Sequence, residues 1–241
     1  MTIIAFAGPS MPADPDPAID WRPPASAGDM LTVMPERPER IVLIDGYFAV
    51  RPAPWHKEIL LLMEQGIPVI GAASMGALRA AELAPYGMIG VGAIFAAYRS
   101  GRLVADDEVA VLHAPRELGW RALTEPLVNV RANLLAAVRG RVIRPPDAKI
   151  ILRAAATLNF RDRHWRRILE HAGAHLDAGT ADTFGGWLAG HRIDLKALDA
   201  AQAIRLALDA ALPAIAPVAA PRTSFLRHLS EHVGVGLPPL L

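Results

Sequence analysis

Residues Pro68–Leu83, PVIGAASMGALRAAEL, predict the strand, turn and helix on which the fold depends. Pro68–Ala72 is a continuous apolar run, which is typical of a strand that is buried on both faces. Small residues follow, and Ser74–Ala84 then has the composition of a helix that ends at Pro85. A buried strand that leads into a helix is the repeating unit of a parallel sheet, so this segment favours an α/β fold.

Two apolar runs nearer the start of the chain predict further strands, at Ile3–Ala7 and Arg40–Ile44. Trp55–Gln65 has apolar residues at helical spacing and stops before Gly66, which is typical of a helix end. The order strand, strand, helix, strand, helix predicts a three-layer α/β domain with a parallel sheet and flanking helices. Residues 11–38 are rich in proline and predict a long irregular connection.

From about residue 116 the pattern becomes helical. Thr124–Val138, Asp147–Thr157 and Asp162–Ala172 have helical spacing, with arginines on their outer faces. The sequence therefore predicts an α/β core domain, residues 1–115, followed by a mostly helical C-terminal region, residues 116–241.

The composition excludes several classes of function. With 25 Lys+Arg against 24 Asp+Glu and no basic stripe, we expect no nucleic-acid partner and no membrane partner. The chain has no cysteine, which excludes disulfides, thiol catalysis and thiolate metal sites. It has no phosphate-binding loop, dinucleotide fingerprint or zinc motif, so we expect no cofactor and no metal. The start lacks the pattern of a signal peptide and the longest apolar run is too short to span a bilayer, which predicts a soluble, cytoplasmic protein.

Ser74 is the leading candidate for a catalytic residue. It follows a predicted strand, lies among small residues and opens a predicted helix, as in a nucleophile elbow of the G-x-S-x-G type with alanine at the first glycine position. The N–H groups of Met75 and Gly76 would then face an oxyanion. Two other interpretations stay open: a serine that caps the helix, or helix N–H groups that bind an anion.

Polar side chains follow three predicted strands. Ser10, Asp45 and Ser74 each come shortly after one of these strands ends. Ligands of open parallel sheets bind at the carboxyl ends of the strands, so the three residues indicate a site at that edge. Asp45 is a further catalytic candidate there, and Ser10 is a candidate for substrate binding.

Charged residues near the start of the helix at 55–65 are candidates for the base. His56 or Lys57 could deprotonate Ser74, since serine–histidine and serine–lysine pairs are both known solutions. The alternative is a solvated, charged first turn above a packed Trp55.

Two acidic residues and a histidine lie further along the chain. Asp107, Glu108 and His113 are candidates for substrate binding. If residues 109–112 form a strand, Asp107 and His113 share a face but lie about 20 Å apart along it, too far to form one catalytic pair. The alternative is a solvated loop. Arg79 could bind substrate or pair with Glu82 three residues later.

Several short segments, taken in order, match one known family. They are Gly8–Ser10, Ile44–Phe48, Trp55–Leu60, Gly71–Leu83, Tyr86–Met88, Gly90–Phe95, Asp106–Val111 with His113, and Glu125–Asn129. Together, over roughly residues 1–170, they resemble the TfuA-like family.

The resemblance implies a partner of a YcaO enzyme in peptide-backbone thioamidation, a post-translational modification found in ribosomally made natural products. YcaO enzymes use ATP to activate a backbone amide, and the TfuA-like partner would release or deliver sulfur from a thiocarboxylated, ThiS-like carrier protein. Without cysteine the chain cannot hold sulfur as its own persulfide. We therefore expect Ser74 to attack the thiocarboxylate, with Lys57 or Arg79 offsetting its negative charge.

Two other functions stay open. In the first, the protein is a non-catalytic adaptor or allosteric activator that docks the carrier onto YcaO, with Trp55 in the interface. In the second, the elbow belongs to a stand-alone serine peptidase or esterase.

Overall fold

The computed structural model describes residues 2–212 and 218–239. Within them, five parallel strands form one sheet in the order β2-β1-β3-β4-β5. The strands are β1 Ile3–Phe6, β2 Ile19–Arg22, β3 Arg40–Leu43, β4 Val69–Gly71 and β5 Ile89–Gly90. The helices are α1 Asp29–Val33, α2 His56–Glu64, α3 Met75–Leu83, α4 Gly92–Arg99, α5 Leu127–Arg139, α6 Pro145–Thr157, α7 Trp165–Gly173, α8 Thr180–His191, α9 Leu195–Leu208 and α10 Ser224–Val233. The predicted α/β class, with a parallel sheet, flanking helices and a helical C-terminal region, is confirmed.

The chain divides into two compact units. The first comprises Met1–Val104 and Lys196–Leu241 and contains the sheet, whereas the second comprises Ala105–Leu195. The division into domains at residue 115 stays a prediction.

Alternate residues of the strands enter two different cores, because successive side chains of a strand point to opposite faces. One core contains Ile4, Phe6, Ile41, Leu43 and Val69 together with residues of α1, α2 and α10. The other contains Ile3, Ala5, Val42, Ile44 and Ile70 together with Ala200, Ala203, Ile204 and Ala207 of α9. The sheet is therefore covered on both faces, which explains why its strands read as continuous apolar runs.

The order of the strands explains why α9 is needed. The connections β2–α1–β3, β3–α2–β4 and β4–α3–β5 all run in the same direction along the sheet. Right-handed crossovers then place α1, α2 and α3 on one face. The connection from β1 to β2 contains no helix, and α9 covers the face that it leaves open.

One expectation about local structure was wrong. Residues 11–38 were expected to be irregular, but they contain β2 and α1. β2 lies at the edge of the sheet and is only partly buried, so IDWR lacks the apolar run that marks the other strands. The strand considered at 109–112 is absent from the described residues: Asp106–Glu108 is a 3₁₀ turn, and an isolated bridge joins His113 to Ala122.

A buried ion pair fixes the C-terminal segment to α2. Arg222 pairs with Glu64, whose other oxygen accepts the N–H of Ala220 at 2.9 Å. Glu64 is 2% exposed, so its charge is removed from water and depends on this partner. The pair holds the segment before α10 against α2.

The second unit has its own core, built by α5 to α8. Arg163 lies in this unit and is fully buried. Its guanidinium donates to the carbonyl groups of Ala155 and Leu158 and to the carboxylate of Asp107 at 3.0 Å. These bonds satisfy a buried cation and join the end of α6 to the acidic 3₁₀ turn.

Candidate functional site at the carboxyl edge of the sheet

Asp45 joins the loops that follow β1 and β3. Its Oδ2 accepts the N–H groups of Gly8 and Ser10 at 3.0 and 2.8 Å, and its Oδ1 accepts the hydroxyl of Ser10 at 2.9 Å. Asp45 and Ser10 are 2% and 1% exposed. β1 and β3 are neighbours in the sheet, but the chain continues from β1 to β2 on one side and from β3 to β4 on the other. Doubly wound sheets bind ligands at such a point, where the connections leave in opposite directions.

Lys196, which sequence reasoning missed, lies beside Asp45. Its Nζ is 3.5 Å from Asp45 Oδ1, and the residue is 3% exposed. It occupies the first turn of α9 on the same face as Ala200 and Ala203, which pack on the sheet. A lysine within a stripe of small core residues was the signal that could have found it. Lys196 and Asp45 therefore form a buried ion pair at the carboxyl edge.

Ser74 follows a strained turn at the end of β4. Ala73 has a φ of 65°, and the N–H of Ser74 donates to the carbonyl of Ala72 at 2.7 Å. This is a three-residue γ-turn of the positive-φ form, which a residue with a Cβ rarely adopts. Strain of this kind costs about 1–3 kcal/mol and clusters at functional sites. The turn places Ser74 directly before the first turn of α3.

The hydroxyl of Ser74 makes no hydrogen bond within residues 2–212 and 218–239, and it does not cap α3. In the same residues the N–H of Met75 has no acceptor, whereas that of Gly76 donates to the carbonyl of Ile44 at 3.2 Å. Both N–H groups were expected to face an oxyanion. The N–H of Met75 is available for that role, whereas the N–H of Gly76 is already bonded to the backbone.

Two glycines allow α3 to begin this close to the sheet. A Cβ on Gly76 would lie 1.7 Å from the carbonyl oxygen of Leu43, and a Cβ on Gly71 would lie 2.2 Å from the carbonyl oxygen of Gly76. Gly76, the glycine of the elbow pattern, and the nearby Gly71 are therefore required by packing between β3, β4 and α3, independently of any reaction.

His56 lies away from Ser74. Its Nε2 is 2.7 Å from Glu82 Oε2, which also accepts a bond from Arg79 at 2.6 Å. Glu82 is eight positions after Ser74, about 12 Å along the helix. Burial alone would raise the pKa of Glu82, but the bonds from His56 and Arg79 hold it below its usual value. The structure pairs Arg79 with Glu82, the alternative to substrate binding.

Lys57 also points elsewhere. Its Nζ donates to the hydroxyl of Thr223 at 3.1 Å, at the residue that caps α10. Among the described residues, neither His56 nor Lys57 is hydrogen-bonded to Ser74. The geometry therefore does not bring the predicted nucleophile and the predicted bases together.

The remaining predicted residues lie in the second unit. Asp107 pairs with Arg163, and Glu108 accepts two bonds from Arg131, at 2.6 and 3.0 Å. The Nδ1 of His113 is 2.8 Å from the carbonyl oxygen of Ala114. The carboxylates thus have structural partners within their own unit, and their role in substrate binding stays a prediction.

One buried carboxylate near the N-terminus of α2 has a shifted pKa. Burial raises the pKa of Glu58 to about 7, against the effect of N–H donors from Trp55, Gly28 and Met30. The donors lie 2.6, 2.9 and 3.2 Å from its oxygens. Glu58 caps α2 and ties it to the start of α1, so its role is structural.

Within the described residues, no helix is both long and apolar enough to span a membrane, and no cluster of three His, Asp or Glu side chains is arranged to hold a metal ion.

Comparison with known proteins identifies the family. No curated protein matches the chain significantly. A family model described as TfuA-like protein matches residues 45–164, a range that includes Asp45, His56, Lys57 and the whole elbow around Ser74. The chain therefore belongs to the TfuA-like family.

Proposed function

We propose that this protein works with a YcaO enzyme in peptide-backbone thioamidation and releases sulfur from a thiocarboxylated, ThiS-like carrier protein in the cytoplasm. The observation that carries the proposal is the position of Ser74: its hydroxyl lies on a strained turn at a helix N-terminus and has no hydrogen-bond partner among the described residues. Membership of the TfuA-like family supplies the type of pathway.

The charges at the carboxyl edge support an anionic substrate. The N-terminus of α3, beside Ser74, carries a partial positive charge, as does the N-terminus of α9. Lys196 lies at the same edge, where it pairs with the carboxylate of Asp45 at 3.5 Å. A thiocarboxylate is an anion, and attack on it by a serine oxygen requires nearby positive charge to offset the repulsion.

The reaction balances without a cofactor. The Oγ of Ser74 bonds to the thiocarboxylate carbon, the carbon–sulfur bond breaks, and sulfur leaves as hydrosulfide with the hydroxyl proton. The N–H of Met75 is placed to donate to the oxyanion. Water then hydrolyses the ester, which returns the serine and leaves the carrier with an ordinary carboxylate. His56 and Lys57 are given no role as base, because they bond to Glu82 and Thr223.

Because His56 and Lys57 bond to Glu82 and Thr223 and not to Ser74, one alternative is favoured, a non-catalytic adaptor. In this function the N-terminus of α3 binds the carboxylate tail of the carrier, and the protein docks the carrier onto YcaO without breaking a bond. Ser74 would then contribute to binding alone.

Sulfide release from the thiocarboxylated carrier, with and without the YcaO enzyme, tests the two functions. Ser74→Ala is expected to reduce release at least about a hundredfold while carrier binding persists. Ser100→Ala removes an exposed hydroxyl that donates to the carbonyl of Ala97 and accepts a bond from Arg102, and it should behave as wild type. If wild type and Ser74→Ala both bind the carrier and neither releases sulfide, the hydrolytic function is wrong and the adaptor remains.

A further inference from the structure

A shallow cavity lies between the start of α2 and the start of α10. Its volume is about 270 Å³, and its walls are Trp55, His56, Lys57 and Phe225. The rings of Trp55 and Phe225 meet edge to face, with centroids 6.4 Å apart. Phe225 is 68% exposed, so most of this ring faces solvent instead of stabilising the core. We call these four residues the aromatic cavity.

The two walls of the aromatic cavity are held in place by hydrogen bonds. The N–H of Trp55 donates to Glu58 within the cap of α2, at 2.6 Å. Across the cavity, Thr223 caps α10, and its hydroxyl accepts the bond from Lys57 at 3.1 Å. The cavity is therefore formed before any ligand binds, which lowers the entropic cost of binding.

Lys57 gives the rim of the cavity an uncompensated positive charge. Among the described residues, no carboxylate lies within ion-pair distance of its ammonium group, and its bond is to a neutral hydroxyl. His56 differs, because it pairs with Glu82. An ammonium group beside apolar walls is complementary to a carboxylate that is attached next to an apolar group.

We propose that the aromatic cavity binds a partner polypeptide through one large apolar side chain that has a carboxylate beside it. The apolar side chain packs onto the rings of Trp55 and Phe225, where aromatic contacts are favourable. The carboxylate pairs with Lys57. This binding does not depend on Ser74 or on sulfur release.

N-acetyl-phenylalanine is a suitable probe, because it carries an aromatic side chain next to a carboxylate. N-acetyl-phenylalanine amide has the same side chain without the charge. Titration of each compound into the full chain, followed by the NMR signal of the Trp55 indole N–H, measures both affinities. We expect the carboxylate to bind about threefold more tightly at low salt, and added salt to remove the difference.

Variants separate the two contributions to binding. Phe225→Ala should weaken both compounds by about tenfold, since an aromatic wall is lost. Lys57→Met should remove the preference for the carboxylate and leave binding of the amide unchanged. Leu118→Ala, an equally exposed apolar residue in the other unit, and Lys149→Met are the matched controls and should change neither affinity. The proposal is overturned if neither compound shifts the Trp55 signal, or if folded Lys57→Met keeps the preference.

Discussion

Substitution of Gly76 by alanine tests the packing that creates the elbow. The added Cβ would lie 1.7 Å from the carbonyl oxygen of Leu43 and 2.6 Å from its carbonyl carbon. Carbon atoms of real side chains essentially never approach closer than 3.0 Å, so α3 must move away from β3 by more than about 1 Å. The obstacle is backbone, which cannot rotate aside as the end of a long side chain can.

The expected cost follows from three effects. Overpacking that shifts a backbone costs up to about 3 kcal/mol. Movement of α3 also breaks the bond from Gly76 N–H to the carbonyl of Ile44, which contributes about 1 kcal/mol. Alanine favours the helix by about 1 kcal/mol over glycine and offsets that loss. The net destabilisation is about 3 kcal/mol, a large part of the stability of a typical domain.

Urea denaturation followed by far-ultraviolet circular dichroism measures the effect. Gly76→Ala should lower the midpoint by roughly 1 M, given the usual dependence on urea. Gly186→Ala in α8 is the matched control: its Cβ meets nothing within 4 Å, so the same change should stabilise the protein by up to ~1 kcal/mol. A Gly76→Ala protein within ~0.5 kcal/mol of wild type would refute the close contact between α3 and β3.

Two further substitutions test buried carboxylates. The pKa of Glu58, raised to about 7 by burial, means that the folded state holds this proton more tightly than the unfolded state. The stability that this proton provides is lost as the pH rises through 7. The urea midpoint of wild type should therefore exceed that of Glu58→Gln by less and less between about pH 5 and 8. A difference in midpoint that does not change with pH would contradict the raised pKa. Asp45→Asn replaces one carboxylate oxygen, an acceptor, by an NH₂ group, a donor. Hydrogen exchange of the backbone N–H groups of Gly8 and Ser10 should then accelerate at least about tenfold. Unchanged exchange would show that Asp45 does not fix this loop.

The central strands could be predicted because a strand that is buried on both faces has a continuously apolar sequence. β1, β3 and β4 lie under helices on both faces, so each is a continuous apolar run. β2 and β5 escaped prediction for two reasons. β2 is a partly exposed edge strand within a proline-rich segment, and β5 is only two residues long. Edge strands contribute few core residues, and a single sequence therefore marks them weakly.

The site could be predicted in position but not in its contacts. Because parallel strands end at the same edge, Ser10, Asp45 and Ser74 were expected there from the positions of their strands alone. The partners of His56 and Lys57 depend on how α2 packs against α3 and α10, and α10 is far away in the sequence. Helical spacing does not determine such contacts.

The position of α9 connects the fold to the chemistry of the edge. Lys196, at its start, lies by Asp45, which follows the carboxyl end of β3. Near its other end, the carbonyl of Ala207 accepts a bond from Arg40, the first residue of β3. The helix therefore runs antiparallel to the strands, and its positive N-terminus lies at the edge where Ser74 stands. One segment, located after the residues that match the family, both covers the second face of the sheet and places Lys196 beside Asp45 at its carboxyl edge.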